Sequence, residues 1–440
     1  MVKRSFLGAT VLVLASSIFL SACGSNNEGS GGNASEKAAG TNAPSANKQV
    51  TLTVFSHKAG SEAGALPDLI KKFETENPDI KIDYEATSTG SGYHDALKAK
   101  FAGGEGPDVY MNGNSEIEKV FAKSGDIANM SDRPWASELG DAVKALAQST
   151  SEDKKVYGAP IELSGLGMFF NTDVLEKNGL QIPKNWEEFL AACEKLKQAG
   201  VTPIVMGNKT GWSAAVFADL TVFQNNTDTT AAQVESGELT MDAWYGPALK
   251  KIQQLSQSGY INGEQSLGME FSDAAISEYL KGNSAFMIGG TWMISQLSQA
   301  NKDFKFVFGA APVNDSGNAK VNIIYGTGWW VNAKSKQLDA ANTFVDWFMK
   351  DENLSQYVKS QSAFSPLVNG TSTDDQHAAP FAAALKNGDV IQPYIPSGKY
   401  NIDFWTPETK MIPLLIANKN ANPEDITKEM QVARDKAVNK

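Results

Sequence analysis

Cysteine, histidine, positive charge and long apolar runs are all scarce in this chain. Its 440 residues include two cysteines, and its three histidines, His57, His94 and His377, are too dispersed in sequence for a His-rich metal site. Beyond the first twenty residues, no apolar run approaches the roughly 20 residues needed to span a bilayer. There is no Gly-x-Ser-x-Gly elbow, no His-Glu-x-x-His pair and no Gly-rich phosphate loop of Walker type. Those absences remove the commonest hydrolase, metalloprotease and nucleotide-dependent classes, and no cofactor or metal is expected. Lys and Arg number 39 against 50 Asp and Glu, a formal net charge of -11. An acidic chain is not drawn to nucleic acid or to an anionic membrane surface, so neither is expected as a partner.

What is present begins with Lys3 and Arg4, an apolar run from Phe6 to Leu20, and then Ser21-Ala22-Cys23. A charged start, an apolar middle and small residues at the cut describe a secretory signal. Ser21-Ala22-Cys23 resembles the lipobox of bacterial lipoproteins, which implies cleavage before Cys23 and acylation of its sulfur. Acyl chains would hold Cys23 in a lipid membrane, since each buried methylene adds about 0.8 kcal/mol. Residues 1–22 are therefore read as the signal and 23–48 as a lipidated tether. The Gly-, Ser- and Asn-rich run from Gly24 to Lys48 has too little apolar surface to fold. As a coil it reaches on the order of 25–30 Å. The expected location is the outer face of the cell membrane, and the long tether fits a single-membrane, Gram-positive cell.

With Cys23 lipidated, Cys193 would have no disulfide partner. It falls in Asn185 to Gly200, where Asn185 and Glu188 have capping-box spacing and Gly200 can close the helix. Trp186, Phe189, Leu190, Cys193 and Leu196 share one face, so Cys193 is read as a core residue. Earlier, Val50 to Phe55 predicts a strand, Leu66 to Phe73 a helix ended by Asn77-Pro78, and Ile80 to Ala86 a second strand. A helix near Tyr93 to Ala102 and a strand Asp108 to Met111 continue the alternation. This pattern predicts an α/β fold with a mostly parallel sheet, its ligands beyond the carboxyl ends of the strands. His57 and the loop Asn112 to Glu116 occupy such ends. Tyr157 to Asn171 reads as an extended crossing segment, followed by strands at Thr202 to Met206, Ala285 to Gly290, Phe306 to Pro312 and Asn322 to Asn332.

Several stretches carry a family resemblance in the same order along the chain. They are Phe73-Glu74-Thr75-Glu76-Asn77-Pro78, Gly106-Pro107-Asp108-Val109, Tyr157-Gly158-Ala159-Pro160 with Phe170-Asn171, Pro183 with Asn185-Trp186-Glu187-Glu188-Phe189, and Lys281-Gly282-Asn283 running to Gly290-Thr291-Trp292. Together they resemble the extracellular solute-binding proteins of bacterial ABC importers, in the sugar-binding branch that includes maltose- and multiple-sugar-binding proteins. The resemblance covers about Gln49 to Lys440. It implies a two-lobe, type II periplasmic-binding-protein-like fold that closes on its ligand by hinge bending. The implied lobes are 49–161 with 314–361, and 162–313 with 362–440. It further implies a monomer that delivers an oligosaccharide to ABC permease subunits in the membrane, with no chemistry of its own.

A sugar presents hydroxyls around its rim and weakly polar C–H faces, so its site needs flat aromatics and short polar side chains. Nine tryptophans are available, and Trp212, Trp292, Trp329-Trp330 and Trp405 stand where packing does not demand them. By the resemblance, Trp212, Trp292 and Trp405 stack on the sugar, and alternation aims one of Trp329 and Trp330 at the cleft, taken here as Trp329. His57, Asn112, Asn114 and Glu116 offer polar contacts from the first lobe, and Glu162 an acidic one from the crossover. Asn112 stands where the maltose-binding pattern has a tryptophan, which argues against maltodextrin. Two alternatives remain open. An acidic, uronate-bearing sugar would need a cation in the cleft, for which Lys58 is the obvious candidate. A lipid-anchored glycosidase would need two carboxylates in one cleft, such as Glu116 and Glu162.

Overall fold

Strand β1 (Val50–Ser56) follows from its β-branched run and pairs in parallel with β2 (Ile80–Ala86) and β3 (Val109–Asn112). The computed structural model describes residues 49–440 except 88–90, 105, 228, 392–399, 401, 418–420 and 440. The signal, Cys23 and the tether thus lie outside the described residues. Between β1 and β2 runs the helix Leu66–Glu76, with Leu66, Leu69 and Phe73 buried at helical spacing. Asn77 ends it by donating from its side chain to the Phe73 carbonyl at 3.0 Å.

The long strand β4 (Gly158–Asn171) is buried along its whole length. Beyond it lie the two-residue β5 (Ile204–Val205), β6 (Phe286–Gly290), β7 (Phe306–Gly309) and β8 (Asn322–Val331). The sheet order is β2-β1-β3-β8-β4-β6-β5, with β7 also on β4. Contrary to the parallel expectation, the sheet is mixed. β4 and β8 run through the middle, and β4 pairs antiparallel with β6, β7 and β8, as β8 does with β3. Gly328 to Val331 of β8 pairs with β3, while Asn322 to Tyr325 pairs with Leu163 to Leu166 of β4. The β4–β8 register breaks on either side of Glu162. Gly326 faces that break, where an added Cβ would stand 2.8 Å from Glu162 Cγ, too close for any side chain.

Among the described residues, the buried apolar side chains fall into two clusters. Leu52, Phe73, Tyr110, Trp330 and Phe344 belong to one, and Phe170, Phe189, Phe217, Tyr245 and Ile412 to the other. Cys193 is fully buried in the second, where burial pushes its thiol pKa up and leaves it unreactive. Its helix, Trp186–Gln198, is capped by Asn185, whose side chain accepts from Glu188 N–H at 2.9 Å. The Glu188 carboxylate returns to Lys184 N–H, one residue earlier than a strict capping box.

Candidate functional site

Trp212, Trp292 and Trp405 share one structural position: each is the first residue of a helix. A bulky side chain there can lie outside the helical barrel. Trp212 is partly buried and stacks on Phe271, with centroids 4.5 Å apart and planes 29° apart. The Trp292 ring meets Trp212 edge to face at 5.9 Å and 67°, a favoured aromatic arrangement. Gly290 makes room for it, since any Cβ there would collide with the Trp292 ring. Gly211 has φ +79° and packs against the backbone of Thr409, seating the start of the Trp212–Val222 helix on the Trp405–Ala417 helix. Thr409 lies one turn beyond Trp405, and its hydroxyl donates to the Trp405 carbonyl at 2.8 Å. Trp405 itself is 46% exposed.

Polar groups reach this aromatic surface through a chain of contacts. His57 and Lys58 follow β1 directly and are both buried. Lys58 Nζ lies 3.7 Å from Glu162 Oε1 and donates to Gln361 Oε1 at 3.2 Å. Gln361 donates in turn to the Glu62 carbonyl at 3.1 Å, and Gln296 donates to Glu62 Oε1 at 3.2 Å. Gln296 sits one turn after Trp292 on the same helix. Glu162, Lys58, Gln361, Glu62 and Gln296 are therefore one connected group, ending on the helix that Trp292 opens. Within it, Glu162 Oε2 is buried and makes no hydrogen bond among the described residues, and the Tyr357 hydroxyl approaches that carboxylate without completing one.

His57 Nδ1 lies 3.1 Å from the Met111 carbonyl, an acceptor, so Nδ1 carries the ring hydrogen and Nε2 is the acceptor. Burial first, and Lys58 second, push its pKa down to about 3. A base held neutral in the fold stabilises it above the unfolded value near 6.5 and loses that contribution as pH falls towards about 3. Acid unfolding of wild type should therefore steepen below about pH 6 relative to His57→Gln, followed by denaturant midpoint against pH. Parallel profiles would contradict this assignment.

The remaining expected residues are placed differently. Asn112 ends β3, is buried, and donates to Glu118 Oε1 at 2.8 Å. Asn114 donates to the Leu146 carbonyl at 2.7 Å and to Ser149 Oγ at 3.0 Å, and accepts from Thr150 at 3.0 Å. These bonds spend the Asn114 side chain on shaping its own loop. Glu116 opens the Glu116–Ser124 helix, exposed and paired with Lys119 at 2.6 Å. Trp329 does not join the tryptophan group. It is fully buried against Phe344 and Phe348, while Trp330 faces the other way and donates to the Asn112 carbonyl at 3.0 Å. Strand alternation does send the two rings to opposite faces, but β8 is covered on both.

Sequence reading passed over Phe271, Gln296 and Gln361, and singled out Lys58 only as a possible free cation. Gln296, one turn after Trp292, was the one signal available for the amides. Glu118, buried with its pKa raised by burial against hydrogen bonds from Ser115 and Asn112, was signalled by its capping-box spacing from Ser115.

Residues 59–354 match the family model of the bacterial extracellular solute-binding proteins. The chain belongs to that family. A curated relative of this binding protein is the multiple sugar-binding protein of Streptococcus mutans, 23% identical over 70% of this chain and 73% of that one. Another is the melibiose/raffinose/stachyose-binding protein MelE of Bacillus subtilis, 22% identical over 72% and 75%. Among solved structures, RafE in complex with raffinose superposes with a TM-score of 0.72 at 20% identity, over 88% of this chain and 100% of that one. A chitin oligosaccharide binding protein gives 0.74 at 19%, over 89% and 100%. The binding protein thus has the two-lobe α/β fold of its neighbours.

Proposed function

We propose that this binding protein captures a neutral oligosaccharide between two lobes and hands it to the permease of a bacterial ABC importer. The observation that carries the reading is the set of three helix-opening tryptophans, two of them in edge-to-face contact and the third exposed. Sugar C–H faces stack on such rings, and unpartnered buried acceptors such as Glu162 Oε2 take hydroxyl donors. Relatives named for sugars add support. A neutral ligand is favoured over a uronate because the Lys58 charge is already answered by Glu162 and Gln361, and His57 is uncharged. A hydrolytic reading loses ground because the Glu116 carboxylate is exposed and engaged by Lys119.

The lobes are 49–161 with 314–361 and 162–313 with 362–440, joined where β4 and β8 cross. The pairing of Asn322 to Tyr325 with Leu163 to Leu166 favours moving the β8 boundary towards Thr327. Closure of the lobes over sugar then selects the state that binds better. The protein works as a monomer, tethered through acylated Cys23 to the outer face of a single-membrane cell.

The test is a thermal-shift panel of neutral and acidic oligosaccharides that includes raffinose and chitin oligomers. A bound sugar at about 100 times its dissociation constant should stabilise the protein by roughly 2.7 kcal/mol. A shift with neutral sugars and no product by chromatography supports the proposal. A shift confined to uronates, or cleavage of any sugar, overturns it.

A further inference from the structure

We propose that Asp219, Tyr245 and Glu408 form a proton-sharing clip that positions Trp212 and Trp405 and releases them as pH rises. Asp219 lies two turns after Trp212 on one helix, and Glu408 one turn after Trp405 on another. Tyr245, on the helix Met241–Gln257 that packs against both, brings its hydroxyl to Asp219 Oδ1 and, at 2.7 Å, to Glu408 Oε1. A phenol has one hydrogen and can donate to only one carboxylate. The second oxygen–oxygen approach then requires a carboxyl O–H that donates to the phenol oxygen. At least one of the two acids is therefore protonated in this arrangement.

Among the described residues, no cation acts on either acid. Asp219 is the only charged residue of its helix, and Asp403, just before the Trp405–Ala417 helix, adds further negative charge beside Glu408. Lys251 is engaged by the Val313 carbonyl and Asp315, while Asp242, Lys250, Lys410 and Glu264 are exposed. The helix Pro423–Val438 turns Ile426, Thr427 and Met430 inward, and its Arg434, only 14% exposed, is engaged by Asp435 and by the Val234 and Glu235 carbonyls. Burial raises the pKa of both acids, and the mutual repulsion of the pair raises that of Glu408 further. Groups raised in the fold stabilise it when protonated and lose that contribution as pH climbs from the ordinary carboxylate range through the raised value. Loss of the shared proton leaves two negative charges around one phenol and drives apart the helices that begin with Trp212 and Trp405. The consequence for affinity, weaker sugar binding at higher pH, rests on the function proposed above.

The test uses the full chain without ligand, followed by tryptophan emission, melting temperature and the infrared carbonyl band of protonated carboxyl from about pH 5 to about pH 9. Wild type should show the band at neutral pH, then lose it with a red-shifted emission and a falling melting temperature. Asp219→Asn and Glu408→Gln, each of which removes the second charge, should flatten the emission profile and weaken the fall in melting temperature, to which the one remaining buried acid still contributes. A wild type with no such band, or variants that keep its pH profile, would overturn the clip. In a second arm raffinose is the probe. A rise of one pKa unit in the pair on binding predicts about tenfold weaker binding across the window in wild type alone. Absence of raffinose binding at every pH would count against raffinose as a ligand, while the ligand-free readouts still decide the clip.

Discussion

Trp292→Ala is expected to weaken oligosaccharide binding by about thirtyfold or more, the loss of roughly 2 kcal/mol that marks a binding hot spot. The ring joins the two halves of the site. Its edge contact with Trp212 fixes the aromatic surface, and its helix carries Gln296, the side chain bonded to Glu62. Trp292 also packs against both buried clusters, so truncation will lower stability as well. Trp292→Phe separates the two effects, because a phenyl face still stacks and still covers apolar neighbours. Calorimetric titration with the sugar selected by the panel, beside denaturant unfolding of each variant, should find Phe close to wild type in affinity and Ala far below it. Equal affinities for wild type and the alanine variant would remove Trp292 from the site.

Glu162→Ala should destabilise the fold by about 3–5 kcal/mol, because it leaves the Lys58 ammonium buried without its anion. The two side chains are only 9% and 3% exposed, so bulk solvent screens the lone ammonium little. Gln361 remains as an acceptor for Lys58, which places the effect towards the lower end of that range. Removing both charges is expected to recover part of the loss, since an absent pair no longer carries a desolvation penalty. Urea unfolding of Glu162→Ala, Lys58→Met and the double variant measures this coupling. Additive single effects would show that the two charges do not interact.

Much of this architecture was legible along the chain because local rules and tertiary packing agree. The strands at Val50, Ile80 and Asn322, the capped helix around Cys193, and the crossing segment to Asn171 fall where β-branching, capping residues and apolar spacing put them. The mixed sheet was not legible. Antiparallel insertion of β8 between β3 and β4 depends on pairing between strands more than 150 residues apart, which no local pattern encodes. The helix-opening tryptophans stood out because glycine or irregular sequence precedes each of them, yet their position as first helical residues did not. Trp329 shows the limit of the alternation argument: period two fixes which residues share a face, but not whether a layer of helices covers it. The Lys58–Glu162 pair was hidden for a similar reason, since a residue after β1 and one in the middle of β4 meet only when the sheet closes.

The central claim, that the helix-opening tryptophans are the sugar-binding surface, is tested most directly at Trp405. At 46% exposure its ring has little packing to lose, so binding and stability separate cleanly. Titration of Trp405→Ala with the panel's best neutral oligosaccharide should give at least about tenfold weaker binding, roughly 1.4 kcal/mol, with an unchanged melting temperature. Wild-type affinity in that variant would contradict the account.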